Sequence, residues 1–260
     1  MSALTLREAL LRGKRRPRRS AGGSPTSYRG DGYEFVELRT YIEGDDVRRI
    51  DWAASARAGE LQSRVVLEDV ALTLAVLIDD SASMRVGRGR MLLDAALEAR
   101  DAWIAAALRG DRVLRVGSDT IAHPLAPVDE PFDLSRALAT ARAGLRRGTA
   151  LLAVGDWYDL DDGHDDLLAN LGAWCDCTAL IARDPWYDEL PLGGVVRLAG
   201  AEGGRARVYV GRRERAAFAR AVREREQELT TRFDRAGWRT GTLLESDGAA
   251  SLRAAFGAVA

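Results

Sequence analysis

Asp79, Ser81 and Ser83 place one carboxylate and two hydroxyls at alternate positions of the stretch Asp79-Asp80-Ser81-Ala82-Ser83. On a tight loop that spacing aims three oxygen ligands at a common point. They are hard ligands, few in number and low in charge. Such a set suits an octahedral Mg²⁺ that keeps open positions for water or for a carboxylate from a partner. Asp and Ser also cap ordinary strand-to-helix turns, so the pentapeptide alone has a plain structural reading as well. The element that must position these groups lies directly before them. Leu74 to Ile78 is an apolar run without alternation, the pattern of a strand buried on both faces of a parallel sheet. In open α/β sheets ligands gather at the carboxyl ends of the strands, which is where Asp79 stands.

The rest of the composition excludes several chemistries. The chain has 260 residues, 47% of them apolar, and a formal net charge of −1, enough for one large α/β domain with an accessory piece. No stretch approaches the ~20 apolar residues of a membrane span. Arg15, Arg16, Arg18 and Arg19 are not followed by an apolar segment, so no signal peptide is expected and a cytoplasmic location follows by default. Residues 1–27 read as a basic, partly ordered arm from which no nucleic-acid binding is expected. Cys175 and Cys177 lie too close together to staple a fold, and with only His123 and His164 as histidines no zinc site can be assembled. Of 38 basic residues only Lys14 is a lysine, which removes P-loop nucleotide hydrolysis. A phosphatase of the haloacid dehalogenase type needs a second Asp where Ser81 stands, and a lysine in the body of the domain. No G-x-S-x-G elbow occurs, so a serine hydrolase has neither its turn nor a well-placed histidine.

Residues 28–69 are the most unusual part of the chain. Two strand-like stretches, Glu34 to Tyr41 and Leu61 to Leu67, flank a turn-rich segment in which Arg39, Asp45, Asp46, Arg48, Arg49, Asp51 and Arg57 crowd around Tyr41, Ile50 and Trp52. That density predicts a small β-rich subdomain fixed by a hydrogen-bonded ion-pair network. The alternative is a partner-docking surface, because Arg and Trp are common interface anchors.

The ordered run Gly32, Glu34, Phe35, Leu38, Arg39, Tyr41, Gly44, Asp45, Asp46, Arg49, Ile50, Asp51, Trp52, Ser55, Ala56, Arg57 resembles the signature of the domain-of-unknown-function family DUF58. Glu68, the Asp-x-Ser-x-Ser-Met element and the later Arg183, Asp184, Pro185, Glu189, Leu190, Pro191 extend the resemblance over roughly residues 28–256. A strand ending in Asp-x-Ser-x-Ser also resembles the metal-ion-dependent adhesion site of von Willebrand factor A domains. In those domains a second acidic residue closes the site from a neighbouring strand end. By resemblance Asp156 takes that position; the alternative is that it caps the following turn. The resemblance implies Mg²⁺ (or Mn²⁺) held by Asp79, Ser81, Ser83 and Asp156. It also implies an AAA+ ATPase of MoxR type as partner, with this chain as adaptor in a chaperone-like system. One departure stands out. Adhesion-type sites add a threonine from a loop before the second helix, and here the comparable stretch is Pro131-Phe132-Asp133-Leu134, with water or Asp133 left to fill in. Thr149 begins the next strand, far from the strand ends.

Further elements follow from periodicity. Helices are expected at 89–108, 132–145, 165–174, 213–235 and 251–256, and strands at 112–117, 120–125, 148–154, 178–182 and 240–244, with a hairpin at 195–210. The expected fold is a doubly wound, mostly parallel α/β sheet of von Willebrand factor A (Rossmann-like) type. Its boundaries are 28–69 for the β-rich segment and 70–260 for the main domain, with the hairpin inserted around 184–210. Three functions fit: a non-enzymatic metal-dependent interaction module, a scaffold with a degenerate metal site that binds through the Arg39 to Arg57 surface, and, least favoured, a metal-dependent phosphatase or hydrolase.

Overall fold

The computed structural model of the protein describes residues 6, 10, 34–43, 45–67, 72–108, 110–126, 130–184, 186, 192–200 and 203–257, with the backbone alone at 34–37 and 65–67. The basic arm, apart from Leu6 and Leu10, lies outside them, as do Gly32, Gly44, Glu68, Pro185, Glu189, Leu190 and Pro191. In chain order the elements are β1 (Glu34–Thr40), α1 (Trp52–Ala58), β2 (Gln62–Leu67), β3 (Thr73–Ile78), α2 (Leu92–Ala105), β4 (Arg112–Val116), β5 (Ile121–Ala122), α3 (Leu134–Gly144), β6 (Ala150–Gly155), α4 (Asp165–Trp174), β7 (Asp176–Arg183), β8 (Gly194–Ala199), β9 (Arg205–Val210), α5 (Arg212–Arg235), β10 (Arg239–Leu244) and α6 (Gly248–Ala255). They belong to two compact units, one of residues 15–71 and one of residues 1–14 with 72–260.

The larger unit is built on a six-stranded sheet of order β10-β7-β6-β3-β4-β5, parallel except for the short β5, which runs against β4. The expected mostly parallel α/β architecture is therefore present. β3 is central, and Leu74, Ala75, Val76 and Leu77 are each at most 1% exposed. The two-residue period of a strand divides them. Ala75 and Leu77 join one core cluster with α3, α4 and α5, whereas Leu74 and Val76 join another with α2, α6 and Leu10. Both faces are covered, which is why the run carries no polar alternation. Trp103 on α2 is fully buried, and its indole N–H donates to the Ala75 carbonyl at 3.1 Å. Cys175 and Cys177 are buried within the first cluster. β8 and β9 pair as a separate antiparallel hairpin. No helix among the described residues is long and apolar enough to cross a membrane.

The smaller unit adds a helix to the strands expected in its β-rich segment. β1 and β2 pair antiparallel, but the charged segment between them forms a 3₁₀ turn, Val47–Arg49, and then the helix α1. Asp51 nucleates that helix by accepting the Ala54 N–H at 2.9 Å, and Gly59 closes it in the left-handed conformation at φ 74°. The alanines of WAASARA have the highest helix propensity of any residue. Density of charge masked the caps.

Candidate functional site

β3 ends at Ile78, and the Asp79 N–H continues the ladder to the Val154 carbonyl of β6 at 2.9 Å, so Asp79 is held at the carboxyl edge of the sheet. The chain then turns sharply. The Ser81 N–H donates to Asp79 Oδ1 at 2.9 Å, and a 3₁₀ turn, Ala82–Arg85, follows. Ser81 stands at the N-cap of that turn, yet its hydroxyl makes no cap bond; it meets the Ser83 hydroxyl at 2.9 Å. The two hydroxyls therefore converge, as the alternate spacing requires.

β6 lies beside β3 and ends at Gly155, which places Asp156 next to Asp79 at the same edge. Asp79, Ser81, Ser83 and Asp156 all line one cavity of about 110 Å³, with Phe132, Leu134, Trp157 and Tyr158 on its other walls. Gly155 is what lets Asp79 sit there. A Cβ at that position would come within 2.9 Å of Asp79 Cβ and 3.1 Å of its Oδ2. Trp157 takes a left-handed φ of 60°, a conformation that costs a bulky residue about 1–3 kcal/mol and must be held by its surroundings. Its indole is buried against Phe233 and Trp238, and its carbonyl accepts from the Arg225 guanidinium at 2.6 Å. This turn aims the Asp156 carboxylate.

The two oxygens of Asp156 differ. Oδ1 accepts the Tyr158 N–H at 3.0 Å, so the turn-capping role is real; Oδ2 is buried and has no hydrogen-bond partner among the described residues. Asp79 is itself buried, at 7% exposure. Burial pushes its carboxyl up to about 6, against the pull of the Ser81 hydroxyl and N–H, and the negative charges of Asp156 and Asp80 push the same way. A pair of carboxylates from adjacent strand ends, one desolvated and one with an orphaned oxygen, is a donor set that gains from a cation. Oxygen-only ligands of this kind fit Mg²⁺ or Mn²⁺. Among the described residues no group of three or more His, Cys, Asp and Glu side chains is placed to hold a metal ion.

The other expected donors are placed elsewhere. Asp133 caps α3 through the Arg136 N–H at 2.9 Å, and Phe132 gives the cavity an apolar wall. Thr149 precedes β6 and donates to the Arg146 carbonyl at 2.8 Å, at the opposite end of a strand about 17 Å long. One clamp was not visible in the chain order. Glu245, after β10, accepts from the N–H groups of Arg88, Gly89 and Arg90, and so pins the loop that follows Ser83. Its partners lie more than 150 positions away, and no local pattern announces them.

In the smaller unit Arg39 donates to both oxygens of Asp45 at 2.6 and 2.7 Å. Asp46 accepts the Arg48 N–H at 3.0 Å and caps the 3₁₀ turn, while Asp51 pairs with Arg64 at 2.8 Å. Arg64 is the partner that the sequence reading left out. Arg49 is half-buried, whereas Arg57 and Trp52 are exposed, Trp52 at 68%. Pairing and exposure are thus both present on one short segment.

Residues 37–113 match the family model described as "Protein of unknown function DUF58". The uncharacterized proteins Mb1516 of Mycobacterium bovis and Rv1480 of Mycobacterium tuberculosis are each 31% identical over 211 residues, a match covering 69% of this chain. The chain spans 64% of the length of these relatives. No solved structure gives a significant match.

Proposed function

We propose, with the DUF58 match over residues 37–113 as premise, that this chain is a non-enzymatic, metal-dependent protein-interaction module of von Willebrand factor A type. Asp79, Ser81, Ser83 and Asp156 would hold Mg²⁺ or Mn²⁺. The bound ion would supply an open coordination position for a carboxylate from a partner. The observation that carries this reading is the buried, unpartnered Oδ2 of Asp156 in the same cavity as the desolvated Asp79. The chain's own part is positional: Ser81 N–H fixes Asp79, Trp157 turns Asp156 inward, and Phe132 with Leu134 keeps bulk water from one side. Beside it a larger cavity of about 450 Å³, shared through Asp156 and Tyr158 and walled by Ile181, Phe218 and Val222, leaves room for the residues that flank a partner's carboxylate.

The resemblance to DUF58 makes a MoxR-type AAA+ ATPase the proposed partner and an adaptor role the proposed activity. The test is capture of that ATPase by the tagged chain with Mg²⁺ and with chelator. Retention with Mg²⁺ alone supports the reading; retention in both removes the metal from the contact, and retention in neither removes the partner. A second reading has its own observation, the exposed Trp52 on a helix fixed by Asp51 and Arg64. On that reading Trp52→Ala abolishes capture and Asp79→Ala does not.

A further inference from the structure

Ser135, His164 and Asp161 were not grouped by any sequence pattern, yet the fold brings them into one chain of hydrogen bonds. Ser135 Oγ lies 2.7 Å from His164 Nε2, and His164 Nδ1 lies 2.7 Å from Asp161 Oδ1. The order is hydroxyl, imidazole, carboxylate, the arrangement by which a serine is activated as a nucleophile. We propose that these three residues form an acyl-transfer site that takes small activated carboxylic esters. The site shares only Leu134 with the interaction reading, which concerns the metal cavity alone, and stands or falls separately from it.

The tautomer follows from the distances. Two lone pairs cannot face each other at 2.7 Å, so Nδ1 carries the proton and donates it to the Asp161 carboxylate. The 3.3 Å contact from the Asp161 N–H to the same nitrogen is then not a hydrogen bond. In the neutral imidazole Nε2 then holds its lone pair toward Ser135 Oγ, the state a general base needs. Asp161 is itself anchored, because its Oδ1 also accepts the Gly163 N–H at 3.0 Å. His164 is buried at 8% exposure while Ser135 is exposed, so the base is shielded and the nucleophile is reachable.

Ser135 lies in the first turn of α3. Asp133 takes the Arg136 N–H with its side chain and the Ala137 N–H with its carbonyl. The N–H groups of Leu134 and Ser135 have no acceptor within the helix and sit at its positive end, where an oxyanion is stabilised. The reaction balances without a cofactor. Ser135 Oγ adds to the ester carbonyl carbon as its proton passes to His164 Nε2, and the bond to the leaving alcohol breaks as that alcohol takes the proton. Water then adds to the acyl-Ser135 ester with His164 again as base, releasing the acid and restoring the serine. Asp161 touches no reacting atom and is a positioning residue.

The same bonds also tie the start of α3 to the turn before α4, and the test separates the two roles. The full chain, in chelator to silence the Asp79 cavity, is incubated with a fluorophosphonate probe and digested for peptide mass mapping. An adduct on Ser135 is expected. It should be absent in His164→Gln and should form at least about 10-fold more slowly in Asp161→Asn, which keeps an oxygen for the Gly163 N–H and is compared with the wild type at a temperature where both are folded. If His164→Gln fails to fold, the Asp161→Asn rate carries the test. A folded wild type with no Ser135 adduct, or an Asp161→Asn variant labelled at the wild-type rate, overturns the proposal. In the first case, a lowered melting temperature in Ser135→Ala would assign the bonds to a tether alone.

Discussion

Replacing Asp79 by Asn should stabilise the metal-free protein, the opposite of what removing a buried polar group usually does. A tenfold change in proton affinity is about 1.4 kcal/mol. Moving the Asp79 carboxyl from its ordinary value to about 6 therefore makes its ionised form about 3 kcal/mol costlier folded than unfolded at neutral pH. At pH 7.5 both states are ionised and the folded state carries the whole penalty. As pH falls through 6 the folded protein takes up a proton that the unfolded chain does not, and the penalty is relieved; it is gone below the ordinary carboxyl value. Asparagine removes the charge and retains an oxygen for the Ser81 N–H. After part of the gain is lost to burial of its amide, a rise in melting temperature of roughly 3–6 °C is expected in chelator at pH 7.5. The difference should shrink by pH 5. Saturating Mg²⁺ should reverse the order, since a ligand at 100 times its Kd adds about 2.7 kcal/mol to the wild type and nothing to the variant. The assay is thermal melting across pH 5–8, with and without metal. A variant less stable than wild type in chelator at pH 7.5, or a difference independent of pH, refutes the assignment of a strained carboxylate at this site.

Gly155→Ala should push Asp79 aside, because the new methyl would sit 2.9 Å from its Cβ, so the Mg²⁺-dependent rise in melting temperature should vanish with Asp79 still present. For Glu245, burial pushes the carboxyl up, but the N–H groups of Arg88, Gly89 and Arg90 outweigh it and hold it below the usual range. Its stabilising share is therefore present above the ordinary glutamate value and lost as pH falls through the lower folded one; Glu245→Gln should speed hydrogen exchange at residues 88–90 and weaken metal affinity. Trp103→Phe leaves the Ala75 carbonyl without its indole donor and should cost about 1–3 kcal/mol in denaturant melts. Asp51→Ala should speed exchange of the amides of residues 52–58 while leaving those of β3 unchanged, since the cap and the Arg64 pair both lie within residues 34–67.

What could be read from the sequence, and what could not, follows the range of each interaction. Leu74 to Ile78 announced its strand because burial on both faces needs only the strand's own residues to be apolar, and Asp79, Ser81 and Ser83 are brought together by two bonds within five residues. The helix α1 is equally local, but its start depends on reading Asp51 as a cap rather than as one more member of an ion-pair cluster, and the same carboxylate does both with Ala54 and Arg64. Asp156 needed a strand neighbour to give it meaning, since its own turn explains only one of its two oxygens. Glu245 and the Ser135 to His164 bond are tertiary in origin: they join residues 155–157 and 29 positions apart, through a sheet order that places β10 at one edge and β6 near the centre. The carboxyl edge of the sheet is thus assembled from short motifs that a reader can find and from distant clamps that only the fold supplies. That division yields an expectation for substitution: changes within residues 79–83 should abolish metal response outright, whereas changes at Glu245 should grade it, because they loosen a loop that its own 3₁₀ turn still shapes.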